Sequence, residues 1–126
     1  MPPLTLIVGF SIGSASDDIA NLIREPLAKQ LQREIVIERI AGESGTLGAQ
    51  AAARAAPDGN TLFVATLGTH ALAPHVRQGC YDAMHDFTPV TLLTESPMLL
   101  ACHTALPVRN AQSFVQHARA HPGALA

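Results

Sequence analysis

Three times along the chain a short aliphatic run gives way to small residues and then to apolar positions spaced three and four apart. Leu4-Thr5-Leu6-Ile7-Val8 is a near-continuous apolar run closed by Gly9, the pattern of a strand buried on both faces. Phe10-Ser11-Ile12-Gly13-Ser14-Ala15-Ser16 follows as a loop of mostly small residues. Ser16 reads as a helix N-cap, with Asp17 and Asp18 in the first turn, where the helix dipole favours negative charge. Ile19, Leu22, Ile23, Leu27 and Leu31 then recur at helical spacing. Pro26 lies inside that pattern and predicts a kink or two consecutive shorter helices.

The order recurs with Ile35–Ile40 as a strand, Gly42-Glu43-Ser44-Gly45-Thr46-Leu47-Gly48 as the loop and an Ala-rich helix to about Ala56. Pro57-Asp58-Gly59-Asn60 is a turn by composition, and Thr61–Thr66 is a third strand. Leu67-Gly68-Thr69-His70 leads into a short helix expected to stop near Pro74. Phe87–Leu93 and Met98–Cys102 read as further extended segments. Asn110 caps a last helix running to about Ala120, ended by His121-Pro122-Gly123. Strand, loop and helix in this repeated order predict an α/β fold with a largely parallel sheet.

Composition narrows the function. A hydrophobic share of 48% and a charged share of 14% exclude a disordered, solvated chain. The net charge of −2, four Phe, one Tyr and no basic block argue against a nucleic-acid partner, which needs a clustered positive face with stacking aromatics. No apolar run reaches the roughly 18–20 residues that a membrane helix requires. Met1-Pro2-Pro3 runs directly into the first strand, so no signal peptide is expected within this chain. Cys80 and Cys102 offer at most one disulfide and no disulfide framework.

The candidate chemistry lies in the three loops. In open α/β sheets ligands collect at the carboxyl ends of the strands, where helix N-termini present N–H groups suited to a carboxylate or phosphate. Gly42-Glu43-Ser44-Gly45-Thr46 approaches the G-x-S-x-G nucleophile elbow of serine hydrolases, but Thr46 replaces its second glycine. The dinucleotide and P-loop glycine patterns are absent, and the single lysine, Lys29, falls inside a helix. His117 and His121 are four apart with no third metal ligand nearby, the pattern of solvent-facing helix residues. His70, at a strand-to-helix turn, is placed to cap, to orient a loop or to donate to an anion.

In combination these loops resemble one family. Leu4–Asp17 is similar to the "ITLIVPFxxGGxxD" start of Bug-type solute-binding proteins, the receptors of tripartite tricarboxylate transporters. Glu25-Pro26-Leu27 resembles their first helix, Ile35–Gly48 their "VVVENRPGAGGNIG" and Ala51–Gly59 their "EAVARAAPDG". Gly68-Thr69-His70-Ala71 matches "GTHA", and Asp86-Phe87-Thr88-Pro89-Val90 matches "DFTPV". The chain departs from the pattern at Gly9 (Pro in the family), at Ser14 (Gly) and across Arg39–Thr46, and Val76–Asp82 is a shortened "LYPKLPYD".

The resemblance implies a periplasmic-binding-protein-like α/β fold. It implies an N-terminal fragment: residues 1–98 as part of domain one, and 99–126 as the crossover strand and first helix of domain two. It further implies a periplasmic receptor, not an enzyme, that needs no cofactor or metal and binds a small carboxylate for membrane transporter subunits. Its ligand-binding positions are Phe10, Ser11, Ile12, Gly13, Ser14, Gly68, Thr69 and His70. A homodimer or oligomer is expected, because the apolar faces of a partial domain favour self-association. The alternatives are a serine hydrolase using Ser44 and a non-binding, self-associating remnant.

Overall fold

In the computed structural model, which describes residues 2–76 and 81–125, the sheet is organised around its first strand. β1 (Leu4–Val8) lies between β2 (Ile35–Arg39) and β3 (Thr61–Val64), both parallel to it. The register sets Leu6 beside Ile37 on one side and beside Leu62 on the other. As the central strand, β1 is covered on both faces, which is why its sequence is an apolar run and not an alternation. All three strands end together, so the loops that leave them start from one edge of the sheet.

α1 (Ala15–Leu31) covers the face carrying Leu4, Leu6 and Val8, through Ala20, Ile23, Leu27 and Ala28. Its N-cap is Ser14, not Ser16: the Ser14 side chain accepts from the Asp17 N–H at 3.2 Å, and Ser16 is buried in the first turn. The helix passes through Pro26 as one element. The residue four positions earlier is Leu22, which is 74% exposed, so the carbonyl that Pro26 leaves without a donor lies on the solvent side. Gln32 ends α1 in a left-handed conformation, with φ 50°. Arg33 then ties the opposite edge of the sheet together, donating to the carbonyls of Pro2 and Pro3 and to the Asn60 side chain.

The second loop forms a 3₁₀ turn, Glu43–Gly45, before α2 (Thr46–Arg54), which lies against β1 and β3. After β3, Gly68–Leu72 forms a π turn that runs into α3 (Ala73–Val76). The helical path does not stop at Pro74. The Ala73 N–H reaches back to the Gly68 carbonyl in the wide turn, and Pro74, second in α3, falls where a missing N–H is tolerated. Residues 87–102 form no strand among the described residues, so the two extended segments expected there have no ladder partner. Of the cysteines, Cys102 is exposed and unbridged, and the expectation for Cys80 falls outside the described residues.

The chain divides into two compact units, Met1–Leu93 and Thr94–Ala126. The second holds α4 (Ala111–Ala120), capped by Asn110 as its sequence predicts and opened by a full capping box with Ser113. The Asn110 side chain accepts from the Ser113 N–H at 2.8 Å, and the Ser113 hydroxyl accepts from the Asn110 N–H at 3.1 Å.

Candidate functional site

The loops leaving the three strands meet at Gly45. A Cβ atom on Gly45 would stand 2.9 Å from the ring tip of Phe10 in the first loop and 2.9 Å from the methyl group of Thr69 in the third. Gly45 also has φ +90°, a left-handed conformation that glycine adopts without penalty. Gly48, one turn into α2, packs equally closely: its Cβ would lie 2.7 Å from the Cα of Gly9. Glycines thus let the backbone of β1's end and the start of α2 touch directly. Gly9, Gly45, Gly48, Thr46 and Thr69 are buried, while Ser11, Ile12, Gly13, Glu43 and Ser44 are exposed around them.

Asp17 fixes the first loop. Its buried carboxylate accepts from the Gly13 N–H at 3.0 Å and from the Arg39 Nε at 2.7 Å, joining the loop, α1 and the end of β2. The Gly13 hydrogen bond, opposed by burial and reinforced by the Arg39 guanidinium, holds the Asp17 carboxyl below its ordinary range. The Gly13 N–H is therefore directed at Asp17, and the Ser14 N–H donates to the Ser11 carbonyl. Gly13 has φ +80° and open space where a side chain would stand.

Thr69 organises the third loop. It is fully buried, and its N–H donates to the Thr66 hydroxyl at 3.2 Å. Its Oγ1 accepts from the Thr66 N–H at 3.0 Å, lies 3.1 Å from the Thr66 carbonyl and 3.0 Å from His70 Nδ1, and its own carbonyl accepts from the Tyr81 hydroxyl. Half-buried His70 is surrounded by aromatic rings. Phe87 meets it edge-on with centroids 4.6 Å apart, Phe63 stacks at 5.9 Å, and Tyr81 is tilted at 6.2 Å. Burial in this setting pushes the imidazole pKa down, favouring the neutral ring.

Of the residues singled out in the sequence, the structure joins Phe10 and Thr69 through Gly45 and sets His70 beside Thr69. Ser11, Ile12 and Gly13 form an exposed rim that leads through half-buried Ser14 into α1, and Gly68 opens the π turn. Arg39, Phe63, Tyr81 and Phe87 escaped the sequence reading, as did the long-range role of Asp17. The spacing Ser14-x-x-Asp17 is a capping-box signature that points to the true cap and to Asp17 reaching back. Ser44 is exposed in a left-handed conformation with φ 58° and ψ 34°, and among the described residues no histidine hydrogen-bonds it. Among the described residues no cluster of His, Cys, Asp or Glu is assembled to hold a metal ion.

Comparison with known proteins matches residues 19–126 to the family model described as tripartite tricarboxylate transporter family receptor. A UPF0065 protein of Bordetella bronchiseptica is 33% identical over 93% of this chain and 35% of its own length. MatC from Rhodopseudomonas palustris, solved with bound malate, is 40% identical with a TM-score of 0.80, over 96% of this chain and 42% of that one. A second R. palustris protein, solved with adipate, is 35% identical with a TM-score of 0.78, over 97% of this chain and 41% of that one. The chain spans about a third of the length of the curated relatives it matches. These likenesses give the α/β architecture its place among the periplasmic binding proteins. None of them supports a serine hydrolase.

Proposed function

The chain belongs to the tripartite tricarboxylate transporter family of receptors, and from that membership we propose that it binds a small carboxylate at the carboxyl edge of its sheet. The observation that carries the reading is the convergence of three strand-end loops on Gly45, with Phe10 and Thr69 against it. Phe10, Ser11, Ile12, Gly13 and Ser14 supply one wall of the site, and Gly68, Thr69 and His70 the other. Thr69 supports that wall from beneath, since its polar groups are engaged within the loop, whereas half-buried His70 keeps an edge for the ligand.

The likeness to proteins solved with malate and adipate favours a dicarboxylic acid as ligand. Binding, not turnover, is the task, with no cofactor or metal. In the whole protein the partners are the membrane subunits of the transporter, and the setting is the periplasm. Residues 1–98 act as part of the first domain and 99–126 as the start of the second.

Calorimetry with malate, succinate and adipate tests the reading. Saturable heat with at least one acid, and no hydrolysis of a p-nitrophenyl ester, is the expected result. Ester hydrolysis that disappears in Ser44→Ala would instead establish the hydrolase.

A further inference from the structure

The hydrogen-bond pattern around Thr69 determines where the proton on His70 sits. Thr69 Oγ1 has one proton and two lone pairs to share among three neighbours at 3.0–3.1 Å, with the Thr66 hydroxyl a fourth and more distant one at 3.4 Å. The Thr66 N–H, at 3.0 Å, can only donate to it. The Thr66 carbonyl, at 3.1 Å, can only accept, so it claims the single hydroxyl proton. His70 Nδ1, at 3.0 Å, is left facing a lone pair and must carry a proton of its own. The opposite arrangement sends the hydroxyl proton to Nδ1 and leaves two oxygens facing each other at 3.1 Å with no proton between them. We propose that Thr69 holds His70 in the Nδ1–H tautomer, so that the ring meets the ligand with Nε2 as an acceptor and selects carboxylates that carry a hydroxyl group.

This inference rests on the placement of His70 in the carboxylate site and adds a preference within it. Phe63, Tyr81 and Phe87 surround the ring with apolar surface, which disfavours the imidazolium that would turn both nitrogens into donors. Among the described residues no group hydrogen-bonds Nε2. A bare carboxylate oxygen brings no proton to that nitrogen, whereas an alcohol does. Thr69 is a positioning residue here, and His70 is the specificity-determining one.

Nitrogen-15 NMR of the His70 imidazole at pH 7, on the unmodified chain, reads the tautomer without any ligand. The expected spectrum shows a pyrrole-type Nδ1 and a pyridine-type Nε2. Thr69→Ser should retain it, and Thr69→Val should shift the ring toward the Nε2–H form. Titration then compares succinate with malate, which differ by one hydroxyl. Malate is expected to bind up to about tenfold more tightly, the worth of one hydrogen bond, and to move the Nε2 resonance, with the preference lost in His70→Phe. An Nε2–H tautomer in the unmodified chain overturns the inference, as does equal binding of both acids with Nε2 unmoved. If calorimetry shows that neither acid binds, the carboxylate reading itself fails and the preference falls with it.

Discussion

A Cβ atom on Gly9 would stand 2.7 Å from the carbonyl oxygen of Gly45 and 3.0 Å from its Cα. The end of β1 and the turn before α2 therefore touch through two glycine backbones, and neither rigid segment can yield to a side chain. Gly9→Ala should cost about 1–3 kcal/mol, the usual penalty of overpacking a close contact. It should also displace the turn that carries Gly45. Urea denaturation monitored by circular dichroism measures the cost. Unchanged stability would mean that the two loops are further apart than the structure places them.

Thr69→Val tests the support beneath the third loop. Valine keeps the shape but removes the acceptor of the Thr66 N–H and the donor to the Thr66 carbonyl. A loss of about 1–3 kcal/mol is expected, because a backbone N–H is left without its partner. Thr69→Ser should recover most of it. A valine variant as stable as the parent would show that these bonds are not formed in solution.

Asp17 gives a pH-dependent test. Its folded pKa lies below the ordinary 3.8, first through the Gly13 N–H and then through Arg39. A depressed carboxylate contributes stability that is complete above its unfolded value and lost as pH falls through the folded one. Asp17→Asn keeps an oxygen for Gly13 but removes the charge facing Arg39. The variant should melt several degrees below the parent at pH 7, and the gap should close as the pH is taken below the aspartate range. A gap independent of pH would assign the effect to packing instead.

These tests fall on contacts of very different legibility in the sequence. The three strands of the sheet are readable, β1 best because it is buried on both faces and must be aliphatic throughout. The loops are readable because only small residues turn so tightly from strand to helix, whereas the apolar runs within 87–102 look like strands in sequence and form none. Ser14 and Ser16 were not separable by type alone. The spacing Ser14-x-x-Asp17 favours Ser14, and the Asp17 N–H donating to the Ser14 side chain decides it, whereas the bond from Arg39 to Asp17, spanning 22 positions, is announced by no local pattern. That α1 continues through Pro26 as one helix is hidden for a similar reason: the cost of the proline depends on whether the carbonyl it leaves without a donor faces water, and that is a property of the packed helix. The aromatic surround of His70 joins residues from β3, the π turn and the segment beyond α3, so only the folded chain brings it together.

The chain should also self-associate. Val90 and Leu92 are 78% and 71% exposed, and in the second unit Met98, Leu99 and Leu100 are 91%, 86% and 77% exposed. Apolar surface on this scale is rarely left open by a monomer. Exchange of the arm 98–126 between two copies is the expected route. Light scattering at micromolar concentration should show a dimer or larger species, and Leu99→Asp combined with Leu100→Asp should reduce it. A monodisperse, cooperatively folding monomer would contradict this.

The claim that the strand-end loops form a carboxylate site is tested most directly by amide NMR of the chain titrated with millimolar malate or adipate. The account predicts that the shifted resonances cluster at Phe10–Ser14, Gly45 and Gly68–His70, with α1 beyond its first turn and α4 unmoved. Shifts that spread over the chain without this clustering, or resonances of the three loops that stay fixed while others move, would contradict it.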